Sequence, residues 1–262
     1  MIRALSTAAA GMQAEQTKLD VTANNISNVS TVGFKKSRAE FQDLIYQTMR
    51  APGTPTAAGV QSPTGLQVGT GVRTVATLRN HSQGSVRQTG NPLDLSIDGA
   101  GFLPVSMPDG TIGYTRDGEL KQNQQGRIVT ADGYPLTTEI TIPADAASIS
   151  IGSDGTVSAT IAGNPTPAEL GQIELATFVN PSGLMAVGRN MLKETSASGA
   201  AVTAKPGESG IGLLQSGQLE VSNVSVVEEM IDLITGQRAY EINSKVIQAA
   251  DEMASTVSKG LR

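Results

Sequence analysis

The side chains that could carry acid–base or metal chemistry are few in this sequence. His81 is the single histidine among 262 residues, and the chain contains no cysteine. Nucleophilic triads and zinc sites both need imidazole or thiolate groups placed close together. A lone histidine between Asn80 and Ser82 is typical of a polar loop or a strand edge, so we interpret His81 as a surface residue. The sequence therefore predicts no catalytic residue, no metal ligand and no cofactor.

Carboxylates are the remaining candidates for catalysis. Paired carboxylates can hydrolyse glycosidic bonds by general acid–base catalysis, so an enzyme that cleaves cell-wall glycans, with a coiled-coil oligomerisation segment, is an alternative function that stays open. The surrounding pattern, however, places all the candidates at solvent-facing strand or turn positions. These candidates are Asp94, Asp98, Asp117 and Glu119.

Composition argues against several kinds of partner. The formal net charge is −5 and charged residues make up 16% of the chain, so no basic field would attract nucleic acid. No apolar run is long enough for a transmembrane helix, and the N-terminal segment lacks the pattern of a cleavable signal peptide. Aromatic residues are scarce, which favours several thin aliphatic modules over one large globule.

Both ends of the chain have the hydrophobic spacing of helices. Apolar residues recur there at alternating steps of three and four, which is the a and d spacing of a coiled coil. We predict helices from about residue 2 to 26 and from about residue 226 to 258, paired in a coiled-coil-like inner domain. Their apolar surface is wider than a two-helix hairpin covers, which predicts self-association. An intramolecular coiled coil that only supports the rest of the chain is the alternative. The predicted subunit-interface residues are Ile2, Leu5, Ala9, Met12, Leu19, Ala23, Ile26, Val227, Met230, Ile231, Ile234, Ile242, Val246, Ala249 and Met253.

The segment between the helices is rich in strand and turn residues. Apolar and polar residues alternate at 93–98 and at 157–161, which predicts strands that are buried on one face. Asp-Gly pairs suit the tight turns of hairpins, so the pattern predicts an antiparallel β domain. The pairs begin at Asp98, Asp109, Asp117, Asp132 and Asp154.

Two segments before the β domain have their own patterns. The spacing of Phe41, Leu44 and Ile45 predicts a short amphipathic helix within residues 39–49. Residues 51–71 are rich in Pro and Gly, which predicts a flexible loop or an extended arm.

Together these patterns predict an α+β fold with three parts. The terminal helices, in residues 1–30 and 225–262, form the helical inner domain used for polymerisation. Residues 31–90 and 182–224 form a connecting domain that carries the extended arm at 51–71. Residues 91–181 form the antiparallel β outer domain.

Several segments resemble the rod and hook axial proteins of the bacterial flagellum. Residues 23–35 read Ala-Asn-Asn-Ile-Ser-Asn-Val-Ser-Thr-Val-Gly-Phe-Lys, which is similar to the signature of that family, and residues 237–241 read Gln-Arg-Ala-Tyr-Glu. Residues 37–53 and 64–73 are most similar to distal rod members of the family. The residues of the family motifs are Asn24, Asn25, Asn28, Gly33, Phe34, Lys35, Gln237, Arg238 and Tyr240.

The resemblance implies a structural role and a location. The implied protein is exported unfolded by the flagellar type III apparatus and polymerises helically in the periplasm into the rigid distal rod, which transmits torque from motor to hook. Its implied partners are copies of itself, the proximal rod proteins, the hook protein, the export apparatus, and the ring proteins at the peptidoglycan and the outer membrane. A proximal rod or hook subunit is the alternative within the family.

Overall fold

The computed structural model describes residues 2–53, 55–57, 60–161 and 166–260. Long helices at the two ends of this range enclose many short strands, which confirms the predicted α+β class and both terminal helices. The elements are α1 (Ile2–Ser27), β1 (Ser37–Asp43), β2 (Tyr46–Arg50), β3 (Pro55–Ala57), β4 (Val60–Gln61), β5 (Leu66–Gly69), β6 (Val72–Arg79), β7 (Val86–Gln88), β8 (Leu95–Asp98), β9 (Leu103–Ser106), β10 (Ile112–Thr115), β11 (Leu120–Gln122), β12 (Ile128–Thr130), β13 (Ala146–Ile151), β14 (Thr156–Ile161), β15 (Ala168–Gln172), β16 (Leu175–Thr177), a 3-10 helix (Pro181–Gly183), β17 (Met185–Gly188), β18 (Met191–Lys193), β19 (Val202–Ala204), β20 (Leu213–Ser216), β21 (Gln218–Glu220) and α2 (Val226–Gly260).

The chain divides into two compact units. The helical unit comprises Met1–Ile26, Ser37–Leu78 and Ser225–Arg262, and the β unit comprises Ser27–Lys36 and Arg79–Val224. The finer division into three domains stays a prediction.

In the helical unit, α1 and α2 run antiparallel in close contact. A Cβ added at Gly11 would lie 3.1 Å from Asn243 Nδ2, and one added at Gly236 would lie 3.0 Å from Leu19 Cδ2. A glycine of each helix thus faces a side chain of the other, and these contacts set the separation of the two helix axes. The large apolar residues of the predicted α2 seam do not line this contact, since Val227 and Ile242, for example, are 69% and 61% exposed.

Residues 37–79 form strands in the described part of the helical unit. β1 pairs with β6 and β3 with β4, while β2 pairs antiparallel with β5, with Tyr46 opposite Gly69. The predicted helix at 39–49 is therefore wrong. Pairing with strands distant in sequence overrides the local helical spacing of the apolar residues there.

The predicted arm contains a hairpin, and we call residues 46–69 the hairpin arm. Its base is closed by hydrogen bonds from Leu44 N to Gly71 O at 2.8 Å and from Thr70 Oγ1 to Ile45 O at 2.7 Å. The base also approaches α1, because a Cβ added at Gly71 would lie 3.1 Å from the Cβ of Ala10. Positions 54, 58 and 59 of the predicted arm lie outside the described residues.

The β unit is built from small antiparallel sheets around aliphatic side chains. The largest described sheet has the strand order β17-β18-β10-β9, and β13, β14 and β15 form another. Leu103, Val105, Val157 and Leu175 are fully buried at the centre of the core. A smaller aromatic cluster lies beside it, in which the Tyr114 and Phe178 rings are 4.8 Å apart and nearly perpendicular.

The strand at residues 93–98 is more buried than predicted. β8 begins at Leu95. Successive residues of a strand lie on opposite faces, yet Ser96 is only 2% exposed and its neighbours Leu95 and Ile97 are buried as well. The prediction of a strand buried on one face is wrong here, because segments distant in sequence pack against this strand: Gln83 and Arg116 both donate hydrogen bonds to Ile97 O. By contrast, β14 buries Val157 and Ala159 and leaves Ser158 between them partly exposed, as predicted, whereas Ile161 at its end is only half-buried.

The Asp-Gly pairs serve different roles. Gly110 and Gly155 have φ angles of 78° and 84° and lie in the turns that join β9 to β10 and β13 to β14, as predicted. Gly118 does not lie in a hairpin turn. A Cβ at position 118 would lie 1.7 Å from Leu95 O, and Leu95 N donates to Gly118 O at 3.0 Å. Position 118 therefore requires glycine, because any side chain there would prevent the close backbone contact with β8.

We expect Gly118→Ala to prevent folding of the β unit, because its methyl group cannot fit without separating this segment from β8. The measurement is urea unfolding followed by circular dichroism. Gly90→Ala is the matched control: Gly90 has a φ of 74° but nothing within 4 Å of an added Cβ. It should cost only about 1–2 kcal/mol from backbone strain. Equal losses for the two variants would contradict this account.

Candidate functional site

A buried carboxylate, Glu220 at the end of β21, organises the β unit. Lys35 Nζ donates to Glu220 Oε1 at 2.5 Å, and Arg116 Nε donates to Glu220 Oε2 at 2.7 Å. The backbone N–H of Gly84 also donates to Oε1, at 2.8 Å. Lys35, Arg116 and Glu220 are each less than one-tenth exposed, and we call them the Glu220 cluster. One carboxylate thus joins four segments that are distant in sequence.

Arg116 extends the cluster to the loop that follows β8. Its Nη2 donates to Ile97 O at 3.1 Å and to Gly99 O at 2.6 Å, and its Nη1 donates to Gly101 O. A guanidinium offers five N–H donors in a fixed plane. Arg116 uses that geometry to hold the backbone of residues 97–101 against β21.

The charges of the cluster follow from burial and pairing. Burial alone would raise the pKa of Glu220, but attraction by Arg116 and the hydrogen bond from Lys35 outweigh it and lower that pKa below its usual value. Burial lowers the pKa of Lys35, which the hydrogen bond to Glu220 opposes. Glu220 is therefore a stable anion at neutral pH, and its two cationic partners leave the cluster with net positive charge.

Asparagine and glycine residues of the predicted family motif make contacts within the chain. In the helical unit, Asn25 Nδ2 donates to Ser37 O at 2.8 Å and to Glu229 Oε2 at 3.0 Å. In the β unit, Gly33 has a φ of 67°, and its N–H donates to Glu220 O at 2.9 Å. An added Cβ at Gly33 would lie 2.7 Å from Arg116 O. The family resemblance identified Asn25 and Gly33, and in the structure both hold distant segments of the chain together.

The other motif residues lie at varied positions. Thr31 Oγ1 contacts Asn28 Oδ1 at 3.2 Å, and Phe34 is half-buried. Asn24, Gln237, Arg238 and Tyr240 are exposed. Asn223, which the motif does not include, accepts a hydrogen bond from Lys36 N at 2.7 Å and donates to Asn80 O at 3.0 Å.

The predicted interface residues of α2 are exposed in the single chain. Exposure ranges from 43% at Val246 to 69% at Val227 among the large side chains, and Ala249 is exposed as well. The buried positions of α2 include Glu229, Gly236 and Ala250, which lie on a different side of the helix. We call the exposed residues the α2 apolar row; its members are Val227, Met230, Ile231, Ile234, Ile242, Val246 and Met253.

On α1 the predicted interface residues differ in their exposure. Ala9 and Ala23 are exposed, whereas the larger side chains are half-buried. The side chain of Ile2 lies outside what the structure describes. The half-buried residues are Leu5, Met12, Leu19 and Ile26. Their role as a subunit interface stays a prediction.

His81 is not the surface residue that the sequence predicts. It is half-buried, its ring centroid lies 5.6 Å from that of Phe102, and it lines a cavity of about 70 Å³ together with Lys35 and Arg116. The prediction fails because Asn223 holds the flanking residues through Asn80 O and Ser82 O. Burial, followed by repulsion from Arg79, Lys35 and Arg116, lowers the pKa of His81 to about 4.

The candidate catalytic carboxylates do not all face solvent. Asp94 is 6% exposed and accepts a hydrogen bond from Asn91 Nδ2 at 2.8 Å. Asp117 and Glu119 are half-buried and Asp98 is exposed. Burial raises the pKa of Asp117, which accepts a hydrogen bond from Asn190 at 3.1 Å. Within the described ranges, no group of three or more acidic or histidine side chains could hold a metal ion, and no helix has the length and apolarity to cross a membrane.

We expect Glu220→Gln to destabilise the β unit by about 3–5 kcal/mol, because it leaves two buried cations without a counter-charge. Urea unfolding at pH 7 measures the loss. Glu174→Gln removes an exposed carboxylate and should change the free energy of unfolding by less than about 0.5 kcal/mol. A small loss for Glu220→Gln would show that the cluster does not stabilise the fold.

Comparison with protein families identifies three matching regions. Residues 5–35 match the family described as flagella basal body rod protein. Residues 96–159 match the flagellar hook protein FlgE/F/G D1 domain. Residues 215–259 match the flagellar basal body rod FlgEFG protein C-terminal region. The first and last matches contain the predicted family motifs. They also contain Lys35 and Glu220, the first and last residues of the Glu220 cluster along the sequence.

Individual relatives match along the whole chain. The flagellar basal-body rod protein FlgG of Caulobacter vibrioides is 49% identical over 259 residues, which cover 98% of this chain and 99% of the relative. FlgG of Bacillus subtilis is 43% identical over 258 residues, or 97% of each chain. The flagellar hook-basal body complex protein FlhP of the same species is 30% identical over 98% of this chain and 99% of its own length. The chain therefore belongs to the family of flagellar basal-body rod proteins.

Proposed function

We propose that this chain is a structural subunit of the flagellar distal rod, which polymerises into the shaft that transmits torque from motor to hook. The observation that carries the proposal is its identity of 43% to 49% with FlgG rod proteins from diverse bacteria over nearly the full length. Identity to the hook-basal body complex protein FlhP is lower, at 30%, which favours the distal rod over other axial positions. The rod-protein family is structural, so the chain is not an enzyme and the glycosidase alternative loses its support.

The α2 apolar row supplies a surface for polymerisation. Its large aliphatic and methionine side chains are between 43% and 69% exposed, and contiguous apolar surface of this kind usually marks a contact site. The α1–α2 contact already occupies the opposite, small and polar side of α2, so it does not cover the row. A second copy of the chain is the proposed occupant, since a head-to-tail contact that does not close generates a helical filament.

The hairpin arm supplies a second surface. Ile45 at its base is 83% exposed, and Tyr46, Met49 and Leu66 are each more than half exposed. An isolated two-stranded hairpin is marginally stable in water. We propose that the arm packs on neighbouring copies and stiffens the rod.

The remaining parts of the proposal concern location and neighbours. The rod belongs to the basal body, and we place the subunit in the periplasm between the proximal rod and the hook, within the rings at the peptidoglycan and outer membrane. In this proposal the terminal helices form the inner tube and the β domain forms the outer surface. The export apparatus delivers the chain unfolded. No catalytic, metal or cofactor site is part of the proposal.

We expect Ile231→Asp to abolish polymerisation while leaving the single chain folded. Ile231 is 57% exposed, so a carboxylate there costs little in the monomer but would be buried without a partner in an assembled row. Sedimentation and negative-stain electron microscopy measure assembly, and circular dichroism measures folding.

The matched control is Gln124→Asp, which adds a carboxylate at an exposed position between β11 and β12 of the β unit, outside α2. It should assemble like the unchanged chain. Polymers of normal length from Ile231→Asp, or a loss of assembly shared by both variants, would contradict the assignment of the row as the interface.

We expect replacement of residues 46–69 by an Asn-Gly turn to leave the helical unit folded but to give shorter or less straight polymers. The design is feasible because Thr70 Oγ1 and Ile45 O are 2.7 Å apart, and Asn-Gly favours a two-residue hairpin turn. Electron microscopy measures polymer length and curvature. Polymers identical to those of the full chain would rule out a bracing role for the arm.

A further inference from the structure

His81 lies in an environment of excess positive charge. Repulsion from Arg79, Lys35 and Arg116 acts on the imidazole. These cations come from different elements: Arg79 ends β6, Lys35 follows α1, and Arg116 follows β10. The other groups around the ring are uncharged, since Phe102 and Thr177 line the same cavity and Pro181 offers its backbone.

Among the residues that the structure describes, the carboxylate of this region is not free to offset a charge on His81. Glu220 is the anion of this region, and it already accepts hydrogen bonds from Lys35, Arg116 and the backbone of Gly84. His81 Nδ1 is buried without a hydrogen-bond partner among the described residues. The imidazole also packs nearly perpendicular to the ring of Phe102, with the two centroids 5.6 Å apart.

The segment around His81 is a junction in the β unit. Asn80 N donates to Lys36 O at 2.9 Å, Lys35 Nζ donates to Ser82 O at 2.8 Å, and Val221 N donates to Ser85 O at 2.8 Å. Residues 80–85 therefore link the end of the N-terminal motif to the strand that carries Glu220. A charge at position 81 acts directly on these links.

We propose that His81 makes this junction acid-sensitive: protonation of its imidazole adds a further cation to the space shared by Arg79, Lys35 and Arg116, and releases residues 80–85 from residues 35–36 and 220–223. The device belongs to the single chain and does not depend on the proposed rod function. Because the chain has one histidine, no other imidazole can produce the effect.

The direction of the pH dependence follows from the pKa of His81, which is lowered from 6.5 to about 4 in the folded chain. Between those two values the unfolded chain binds a proton that the folded chain does not. The stability of the folded state therefore falls as the pH drops from 6.5 toward 4 and levels off below it. The equilibrium constant for folding should decrease by roughly one to two powers of ten across this window.

The first experiment is an NMR titration of the single imidazole in the unchanged full-length chain, at a concentration where it is monomeric. We expect a midpoint near pH 4. A midpoint near the ordinary histidine value would overturn the proposal. This measurement needs no variant, so it stays decisive even if substitutions at position 81 impair folding.

The second experiment compares urea unfolding of the unchanged chain with that of His81→Phe and His81→Gln at a series of pH values. His81→Phe keeps an aromatic ring and His81→Gln keeps a polar group, and neither titrates. We expect the unchanged chain to lose more stability than both variants between pH 6.5 and 4. Parallel losses in all three chains would overturn the proposal.

Hydrogen exchange followed by mass spectrometry gives the location of the effect. Acidification toward pH 4 should increase opening of peptides that contain residues 80–85 and 220–223 in the unchanged chain, after correction for the intrinsic pH dependence of exchange. The same peptides should stay protected in His81→Phe. Equal opening in both chains, or opening confined to the rest of the β unit, would contradict a junction controlled by His81.

Discussion

The contact between α1 and α2 is the constraint on which the proposed function depends. Glycine at positions 11 and 236 lets the helices approach closely, and the hydrogen bond from Asn25 to Glu229 fixes their register at one end. Because α2 contributes small and polar residues to this contact, the α2 apolar row stays exposed. A single chain therefore has a helix pair and an uncovered apolar surface, which in the proposed polymer would be covered by neighbouring copies.

The Glu220 cluster has a different task in the β unit. It fixes the segment after α1, the loop after β8 and the segment before β7 to one strand through buried, charge-assisted hydrogen bonds. Such bonds are directional, and the loss of one partner leaves a buried charge unpaired. A subunit that transmits torque needs defined geometry where distant segments of its chain meet, and this cluster supplies it in addition to the aliphatic core. His81 lies beside the cluster and adds sensitivity to acid.

Periodicity predicted the parts of the fold that depend on local pattern. The spacing of apolar residues predicts both terminal helices and the alternation at Val157 and Ala159 in β14, and the Asp-Gly pairs predict the turns at Gly110 and Gly155. The apolar spacing at residues 39–49 predicted a helix, but this segment forms strands that pair with β5 and β6. The local sequence also predicted exposed positions at Ser96 and His81, which segments distant in sequence bury at least in part. The residues next to Glu220 in the sequence do not indicate its role, because its partners Lys35 and Arg116 are more than a hundred residues away. The family motif identified Lys35 but not what it binds.

The most direct test of the account asks whether assembly covers the α2 apolar row. The chain has no cysteine, so a single cysteine at Ile234, which is 46% exposed, or at Val179, which is 90% exposed, reports on one position alone. The measurement is the rate of maleimide labelling in the monomer and in the polymer. The account predicts that Ile234→Cys reacts readily in the monomer and is strongly protected in the polymer, by more than Val179→Cys. Unchanged labelling of Ile234→Cys in the polymer would contradict it.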